Sequence, residues 1–439
     1  MRLDINNFAK INNASIELNG ITVIAGNNNT GKTTIGKALF SIFNSVYNIN
    51  NKINNSRKSE IYSRLRNAVK SFFLSNEQEE DIGYSQRSTL SRKTDMALHD
   101  FYRMLRNKDY DIADEKYLID VLDKALEHYG LLQTSDNADK LYNTIVDEIR
   151  VVNNTDDYAI SLEIIERFFN SVFSHQINNL LNQEVAHLNL KIHDKELEFE
   201  FSDNKCEKWS DNFEIMHEAF FIDDPFVVDN INDGYVYTKG EMSPRQFLVN
   251  KIQDLSYDES ENVISSVLAK EKLLDIESII SSIVPNKIQR KKGEWIIADE
   301  NYPEPIHVDN LSAGLKSFIL LKLLLERGIL KEKDVLILDE PEIHLHPEWQ
   351  IKYAEIIVLL QKKFDLSILV TTHSRDFFEA IDLYSKKYAV YDKCNFYLSQ
   401  NIDGKIKFMN VNEDTSEIYK HLVNPSRLLD NLRFEMEEN

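Results

Sequence analysis

The stretch GNNNTGKTT, residues Gly26 to Thr34, decides the fold of this 439-residue chain. It has the spacing of a Walker A phosphate-binding loop, in which two glycines flank four residues and a Lys-Thr pair follows. The apolar run ITVIA before it predicts a buried strand, and TTIGKALFSIF after it has helical spacing. A loop between a strand and a helix N-terminus can bind phosphate through its backbone N–H groups. The sequence therefore predicts a nucleoside triphosphate site.

Each residue of the loop has a predicted role at the phosphates. The glycines permit the backbone angles and the close approach, Lys32 supplies a positive charge for the β- and γ-phosphates, and the Thr33 hydroxyl can ligate Mg²⁺. A chance Gly/Asn loop in an asparagine-rich chain is the alternative interpretation. The residues predicted to bind nucleotide here are Gly26, Asn27, Asn28, Asn29, Thr30, Gly31, Lys32, Thr33 and Thr34.

A second motif, DVLILDE at Asp334 to Glu340, has the form of a Walker B strand. It is an apolar strand that ends in two carboxylates. We expect Asp339 to hold Mg²⁺, directly or through water, and Glu340 to polarise the attacking water as the catalytic base. The alternative is a buried strand that happens to end in an acidic turn.

Two further segments complete the set. DNLSAGLKS, starting at Asp309, places Ser312 and Gly314 at the opening of an apolar helix, where free N–H groups form a second anion site. The alternative is an ordinary N-cap, with Ser312 or Asp309 capping a core helix. SILVTTHS predicts a strand with His373 at its end, within reach of a γ-phosphate. A single histidine at a strand end is more often structural.

Together these segments resemble the ABC-type ATPases of the overcoming-lysogenization-defect (OLD), SMC and recombination-repair group. LDEPEIHLHPEWQ, residues 338–350, is similar to a DEPExHLHPxxQ block of OLD-type and related anti-phage ATPases. EAFFIDDPFVVDN, residues 218–230, resembles a strand of the same defence ATPases, and Lys316 lies where SMC-like signatures often carry Lys or Arg. The ATPase subunits of Septu, PARIS and retron-associated systems are the relatives that the resemblance suggests. It covers residues 1 to about 45 and about 300 to 439.

This resemblance implies an α/β fold, a P-loop ABC-type ATPase head with a mixed sheet and a large α-helical insertion. It implies ATP and Mg²⁺ as cofactors. Two chains would sandwich two ATP molecules, with Ser312, Gly314 and Lys316 of one chain facing the γ-phosphate that Lys32 of the other holds. In that arrangement Glu340 orients water and His373 stabilises the closed state. An adenine-stacking residue is not identified, and Gln246 is only a weak candidate for the Q-loop glutamine.

The chain is expected to consist of an ATPase head interrupted by two helical parts. Apolar residues at three- and four-residue spacing predict helices from 59 to 181, without a lasting heptad. Their several apolar faces favour a role in holding a homodimer or a higher even-numbered oligomer together, and a self-contained bundle is the alternative. The expected segments are 1–45 (head, Walker A), 46–185 (helical insertion), 186–240 (return to the head sheet), 241–298 (helical lobe and hairpin) and 299–439 (head, with signature, Walker B and His373).

Composition limits the partners. A net charge of −21 argues against a broad basic surface, so contact with nucleic acid is expected to be indirect. The most basic cluster, KIQRKKGEW at 287–295, is interpreted as a solvated hairpin edge. The sequence shows neither a transmembrane run nor a signal core, and Cys206 and Cys394 lack metal-site spacing. We therefore expect a cytoplasmic protein with reduced thiols and no membrane partner.

The function that these patterns favour is a sensor or regulatory ATPase of a defence system that controls a separate effector nuclease. The segment after His373 is too short for the Toprim nuclease domain of the OLD family, and His344 and His346 are interpreted as a structural turn. A DNA-clamping ATPase of the SMC or recombination-mediator type, acting in DNA repair or maintenance, is the alternative. A transporter ATPase is disfavoured, because the insertion is far larger than a coupling lobe.

Overall fold

The computed structural model of the chain forms two compact units, residues 1–47 with 165–439, and residues 48–164. The residues that it describes are 1–76, 84–106, 115–131, 138–210, 214–231, 243–253, 274–284, 288–291, 294–298, 303–423, 433 and 435–436.

The first unit contains both strands and helices, and helices make up the second. The strands are β1 (Arg2–Phe8), β2 (Ile11–Glu17), β3 (Ile21–Gly26), β4 (Ala186–Ile192), β5 (Lys195–Ser202), β6 (Lys205–Trp209), β7 (Ala219–Ile222), β8 (Ile288–Lys291), β9 (Glu294–Ile297), β10 (Ile306–His307), β11 (Val335–Asp339), β12 (Ser367–Thr372), β13 (Cys394–Ile402) and β14 (Lys405–Asn410). The helices are α1 (Lys32–Val46), α2 (Ile49–Asn76), α3 (Tyr84–Arg106), α4 (Glu115–His128), α5 (Ala138–Asn153), α6 (Asp157–Phe173), α7 (Pro244–Gln253), α8 (274–281), α9 (Ala313–Glu326), α10 (Pro347–Phe364), α11 (Arg375–Lys387) and α12 (Ser416–Leu422).

A six-stranded mixed sheet forms the centre of the first unit, in the order β14-β13-β3-β12-β11-β7. Strands β13, β3, β12, β11 and β7 are parallel, and β14 runs antiparallel to β13. Strand β3 is buried along its whole length, as a parallel strand covered on both faces should be. The carboxyl ends of β3, β11 and β12 therefore meet at one edge, and each of these strands is followed by a predicted motif. This confirms the predicted α/β fold with a mixed sheet.

A second sheet is antiparallel, in the order β2-β1-β4-β5-β6. The sequence predicts that residues 186–240 return to the head sheet, but among the described residues of this segment only β7 joins the central sheet. The burial patterns give the reason. Strand β4 alternates between buried and more exposed positions, which suits a sheet with one covered face, whereas β7 is buried at every position.

Helices α2 to α5 build their own core in the second unit. The residues that form it include Ile61, Leu65, Val69, Leu98, Phe101, Leu118, Leu122, Leu126, Ile145 and Ile149. The apolar faces of these helices thus cover one another in the described residues, as the alternative of a self-contained bundle requires, and the oligomerisation role stays a prediction. The first unit resumes at Ile165, earlier than the predicted boundary at residue 185.

The remaining elements are short. Strands β8 and β9 pair antiparallel, with Arg290 opposite Trp295, as a hairpin in the basic cluster requires. Lys291 ends β8, and the other two lysines of the cluster, Lys287 and Lys292, lie outside the described residues. So does most of the chain after Val423, including part of the predicted closing helices. Every helix in the described part of the chain is too short or too polar to cross a lipid bilayer.

Candidate nucleotide-binding site

The phosphate loop lies between β3 and α1, as predicted. Asn27, Asn28 and Asn29 are exposed, and α1 begins directly after Gly31, which has a φ of 78° that favours glycine. Gly26 lies so close to the neighbouring strand that an added Cβ would be 2.3 Å from the Ser399 carbonyl oxygen. The loop therefore depends on both glycines.

The Lys32 side chain folds back into the loop. It is 4 % exposed, and its Nζ donates hydrogen bonds to the carbonyl oxygens of Gly26 and Asn27, each at 2.9 Å. The same Nζ lies 3.1 Å from Oε1 of Glu340. Lys32 thus connects the phosphate loop to the residue that follows β11.

Thr33, at the start of α1, and Asp339, at the end of β11, are in direct contact. The Thr33 hydroxyl donates to Oδ2 of Asp339 at 2.8 Å, and the Thr371 hydroxyl donates to Oδ1 at 2.6 Å. Burial raises the pKa of the Asp339 carboxyl, while these two hydrogen bonds act to lower it. Hydroxyl and carboxylate oxygens in contact are the donors that Mg²⁺ prefers, so this pair fits the predicted metal site.

Glu340 and His373 form an ion pair at the same edge. The Glu340 backbone has a φ of 50°, and its N–H donates to both the carbonyl and the hydroxyl oxygen of Thr371. His373 Nδ1 lies 3.4 Å from Oε2 of Glu340. The hydrogen bond from His373, with Lys32 nearby, lowers the pKa of Glu340 to about 2, and the same hydrogen bond raises the pKa of His373. Glu340 is therefore an ionised carboxylate at neutral pH.

The sequence predicted no role for Glu342. Its side chain is 2 % exposed, and Oε1 accepts hydrogen bonds from the Thr372 hydroxyl at 2.6 Å, the His373 N–H at 3.0 Å and the Ser374 N–H at 3.3 Å. Burial raises the pKa of this carboxyl. Glu342 thus fixes the backbone that carries His373. The only sequence signal was its place in the quoted DEPEIHLHP block.

The predicted signature residues lie at the start of α9. Ser312 is exposed and is the N-cap, with its hydroxyl accepting from the Leu315 N–H at 3.4 Å. Gly314 packs so closely that an added Cβ would lie 3.0 Å from both the His344 carbonyl oxygen and the Trp349 ring.

Lys316 lies inside the protein, contrary to the direct contact with nucleotide that the sequence predicts. It is 2 % exposed, donates to the Asp309 carbonyl oxygen at 2.9 Å and lies 2.6 Å from Oδ1 of Asp229. Its ammonium also lies 5.0 Å from the centre of the Phe226 ring. In the described chain Ser312 and Lys316 have no hydrogen bond or ion pair to the phosphate loop. Lys316 therefore stabilises the signature turn through its buried contacts with Asp309 and Asp229.

The structure gives the weak Q-loop candidate Gln246 a local role in its own helix. The Gln246 side chain accepts from the Ser243 N–H at 2.8 Å at the start of α7, so it acts as a helix cap. The residues that follow β7, beside the Walker B strand, are Asp223 and Asp224, and both pair with Arg245. The described residues contain no cluster of three or more His, Cys, Asp or Glu side chains suited to a metal.

An open cavity of about 500 Å³ begins at the phosphate loop. The loop from Asn28 to Thr34 and Glu340 form one side of it. The cavity is also lined by Ala9 and Lys10 of the β1–β2 turn, and by residues at and after the end of α6, which are Val172, Phe173, Ser174, Gln176 and Leu180. Lys10 and Lys37 also line it, so several ammonium groups face the space.

The chain was compared with known families and structures. A family model described as an AAA ATPase domain matches residues 1–378. Among solved structures, the chain is similar to the SMC head domain from Thermotoga maritima, with 10 % identity, 93 % of this chain and 98 % of that chain covered, and a TM-score of 0.39. An SMC head bound to the C-terminal winged-helix domain of ScpA gives 10 % identity, coverages of 95 % and 98 %, and a TM-score of 0.45. These low scores add nothing to the fold described above.

Proposed function

This chain belongs to the AAA ATPase domain family, and we propose that it binds and hydrolyses ATP at the edge where β3, β11 and β12 end. The observation that carries this proposal is the convergence of Lys32, Thr33, Asp339, Glu340 and His373 within a chain of direct contacts. These residues come from three separate segments. Their side chains match the groups that phosphoryl transfer requires, namely a cation, a metal site and a base.

In the proposed mechanism, the loop N–H groups and Lys32 bind the β- and γ-phosphates. Thr33 and Asp339 would hold Mg²⁺, which would neutralise charge on the phosphates. Glu340 is ionised, so it accepts a hydrogen bond from the attacking water and orients it. His373 holds the Glu340 carboxylate from the side opposite Lys32 and donates a hydrogen bond toward the γ-phosphate.

We further propose that ATP joins two chains in a head-to-tail pair. Ser312 is exposed at the start of α9, where a helix leaves backbone N–H groups without intrahelical partners, so this end of α9 suits a phosphate held by another chain. The contact would exist only while the γ-phosphate does. ATP binding would then close the pair, and hydrolysis would open it.

The biological role that we propose is the control of a separate effector nuclease in anti-phage defence. The quoted DEPEIHLHP block and the net charge of −21 support it, because an acidic surface favours a basic protein partner. Such an attraction would weaken as salt concentration rises. Cleavage of nucleic acid would then belong to the partner, and ATP turnover by this chain would regulate it.

The test is an assay of the purified chain with Mg²⁺ and ATP. Wild type is expected to release phosphate, and Lys32→Ala is expected to bind no ATP, because the loop loses its only buried cation. DNA and RNA should remain intact with Mg²⁺ or Mn²⁺. A nuclease activity that persists in Lys32→Ala would contradict the effector role, and turnover that DNA stimulates in a salt-sensitive way would favour the DNA-clamping alternative.

A further inference from the structure

We propose that helix α12 positions the phosphate loop through His421, so that the affinity of the loop for phosphate depends on this helix. The Nε2 atom of His421 lies 3.1 Å from the side-chain oxygen of Asn27, the first loop residue after Gly26. This inference rests on the proposed ATP site and deepens it, because it assigns a positioning residue from a distant segment. His421 lies beyond residue 378, where the match to the family model ends.

The hydrogen bond between His421 and Asn27 has one possible direction. An amide oxygen only accepts, so Nε2 of His421 carries the hydrogen and donates it to Asn27. The other ring nitrogen, Nδ1, lies 3.4 Å from the side-chain nitrogen of Gln400, and an amide nitrogen only donates. An imidazole with its hydrogen on Nε2 satisfies both partners. His421 therefore connects β13 to the phosphate loop.

Asn27 is a suitable point of control, because three groups donate hydrogen bonds to it. Its carbonyl oxygen accepts from Lys32 Nζ at 2.9 Å and from the Thr30 hydroxyl at 2.8 Å, and its side chain accepts from His421. Lys32 gives up this carbonyl when it turns to a bound phosphate. The hydrogen bond from His421 then remains to hold the start of the loop.

The helix that carries His421 is firmly supported. Ile418 is fully buried, and the ring of Tyr419 packs edge-on against Phe378 of α11, with 5.1 Å between the ring centres. Strand β13 adds a second contact with the loop, since the hydroxyl oxygens of Thr30 and Ser399 are 2.7 Å apart. A donor on such a support reduces the conformational entropy that the loop loses when phosphate binds.

Two similar substitutions separate the two contacts of His421. The side-chain nitrogen of glutamine reaches about as far as Nε2, so His421→Gln can still donate to Asn27. The shorter asparagine places its nitrogen near the position of Nδ1, so His421→Asn keeps a polar group near Gln400 and loses the bond to Asn27. Lys420→Ala is a control on the same helix, because Lys420 is exposed and has no hydrogen bond or ion pair to the loop in the described chain.

The experiment measures binding of Mg·ATP and of Mg·tripolyphosphate to the full chain by calorimetry. Lys420→Ala and His421→Gln should bind both ligands within about twofold of wild type. His421→Asn should weaken both about three- to tenfold, which is the effect of one hydrogen bond. The two ligands should lose affinity equally, because the bond acts on the phosphate loop and not on the base.

A double-mutant cycle tests whether His421 acts through Asn27. Asn27→Ala removes the side-chain acceptor and keeps the carbonyl oxygen to which Lys32 donates. In this background His421→Asn should cause no further loss of ATP or tripolyphosphate affinity, because its acceptor is already gone.

Every other outcome contradicts the inference. Unchanged affinity in His421→Asn, a loss for ATP alone, or additive losses in the cycle would overturn the role of His421 and leave the phosphate site standing. An equal loss in Lys420→Ala or His421→Gln would do the same, since it would reveal a general effect of altering α12. A wild-type chain that binds neither ligand would overturn the proposed function, and this inference with it. Should wild type bind ATP alone, the cycle measured with ATP decides.

Discussion

The Lys32 ammonium lies 3.1 Å from Oε1 of Glu340, so the cation proposed to bind phosphate already has a carboxylate partner. A γ-phosphate that takes over Lys32 must compete with this carboxylate. Once the phosphate binds, Glu340 is released from Lys32 and free to orient water. The pair thus links phosphate binding to the readiness of the base.

Glu340→Gln should separate binding from turnover. The amide cannot act as a base, so ATP hydrolysis is expected to fall at least about 100-fold. ATP affinity should stay the same or increase, because the competing negative charge on Lys32 is gone. Single-turnover kinetics with parallel binding measurements check both. Wild-type hydrolysis in this variant would show that Glu340 is not the base.

The protonation of His373 should depend on Glu340. Since the pKa of His373 is raised, its stabilising charge is fully present below pH 6.5 and is lost as pH rises through the folded-state pKa. The pKa of Glu340 is lowered to about 2, so its contribution is present above pH 4.5 and is lost as pH falls toward 2. The pair therefore stabilises the fold most between pH 4.5 and 6.5.

An NMR titration of His373 without nucleotide or Mg²⁺ tests this relation. The wild-type midpoint should lie above 6.5, and Glu340→Gln should move it down toward that value. Glu342 and Lys32 also face the imidazole and remain in the variant, so the shift isolates Glu340. An unmoved midpoint would mean that the ion pair does not form in solution.

Glu342 should act as a positioning residue for His373. In Glu342→Gln the Oε1 acceptor can remain for the three hydrogen bonds that hold residues 372–374, whereas Glu342→Ala removes it and leaves buried donors unpaired. We expect Glu342→Ala to lose about 1–3 kcal/mol of unfolding free energy. It should also lower kcat more than Glu342→Gln does, with a changed His373 titration. A loss of stability with normal kcat and normal titration would leave Glu342 a purely structural role.

The strand-loop-helix units of this fold were predictable because each carries a local pattern. ITVIA and the VLIL of DVLILDE are apolar runs, and the phosphate loop and the carboxylates that follow these runs lie at the carboxyl ends of their strands by the geometry of a parallel sheet. The contact partner of each site residue could not be predicted in the same way. That Lys32 pairs with Glu340, or that β4 joins β1, depends on contacts between distant segments that no local spacing encodes.

The burial of Lys316 shows why the signature was predicted only in part. Lys316 follows Ser312 and Gly314 closely in the sequence, which favoured a role beside them at the nucleotide. In the helix, however, the Lys316 side chain lies on the inner face, where it contacts Asp229. Sequence spacing predicted the helix start and the Ser312 cap. It contained no information on which acid would lie beneath the lysine, because Asp229 comes from a segment that follows β7.

A double-mutant cycle should measure the Lys316–Asp229 pair. Lys316→Met leaves Asp229 without its partner, and because Asp229 is only partly buried we expect a loss of about 1–3 kcal/mol. Combining Lys316→Met with Asp229→Leu should recover much of this loss, since no charge is then left unpaired. Urea unfolding of the four proteins gives the coupling free energy. Strictly additive losses would show that the two side chains do not interact.

The exposed position of Ser312 should matter for ATP-dependent association and not for folding. Arginine at this exposed position would block a phosphate held by a second chain, whereas Ser312→Asn keeps a side chain that can cap α9. In the slowly hydrolysing Glu340→Gln background, sedimentation with Mg·ATP should show dimers for Ser312 and for Ser312→Asn, and monomers for Ser312→Arg. Because Ser312 makes no contact with the phosphate loop of its own chain, all three proteins should bind ATP equally in the monomer. Dimers of the Ser312→Arg protein with ATP would show that the signature turn does not face the nucleotide of another chain.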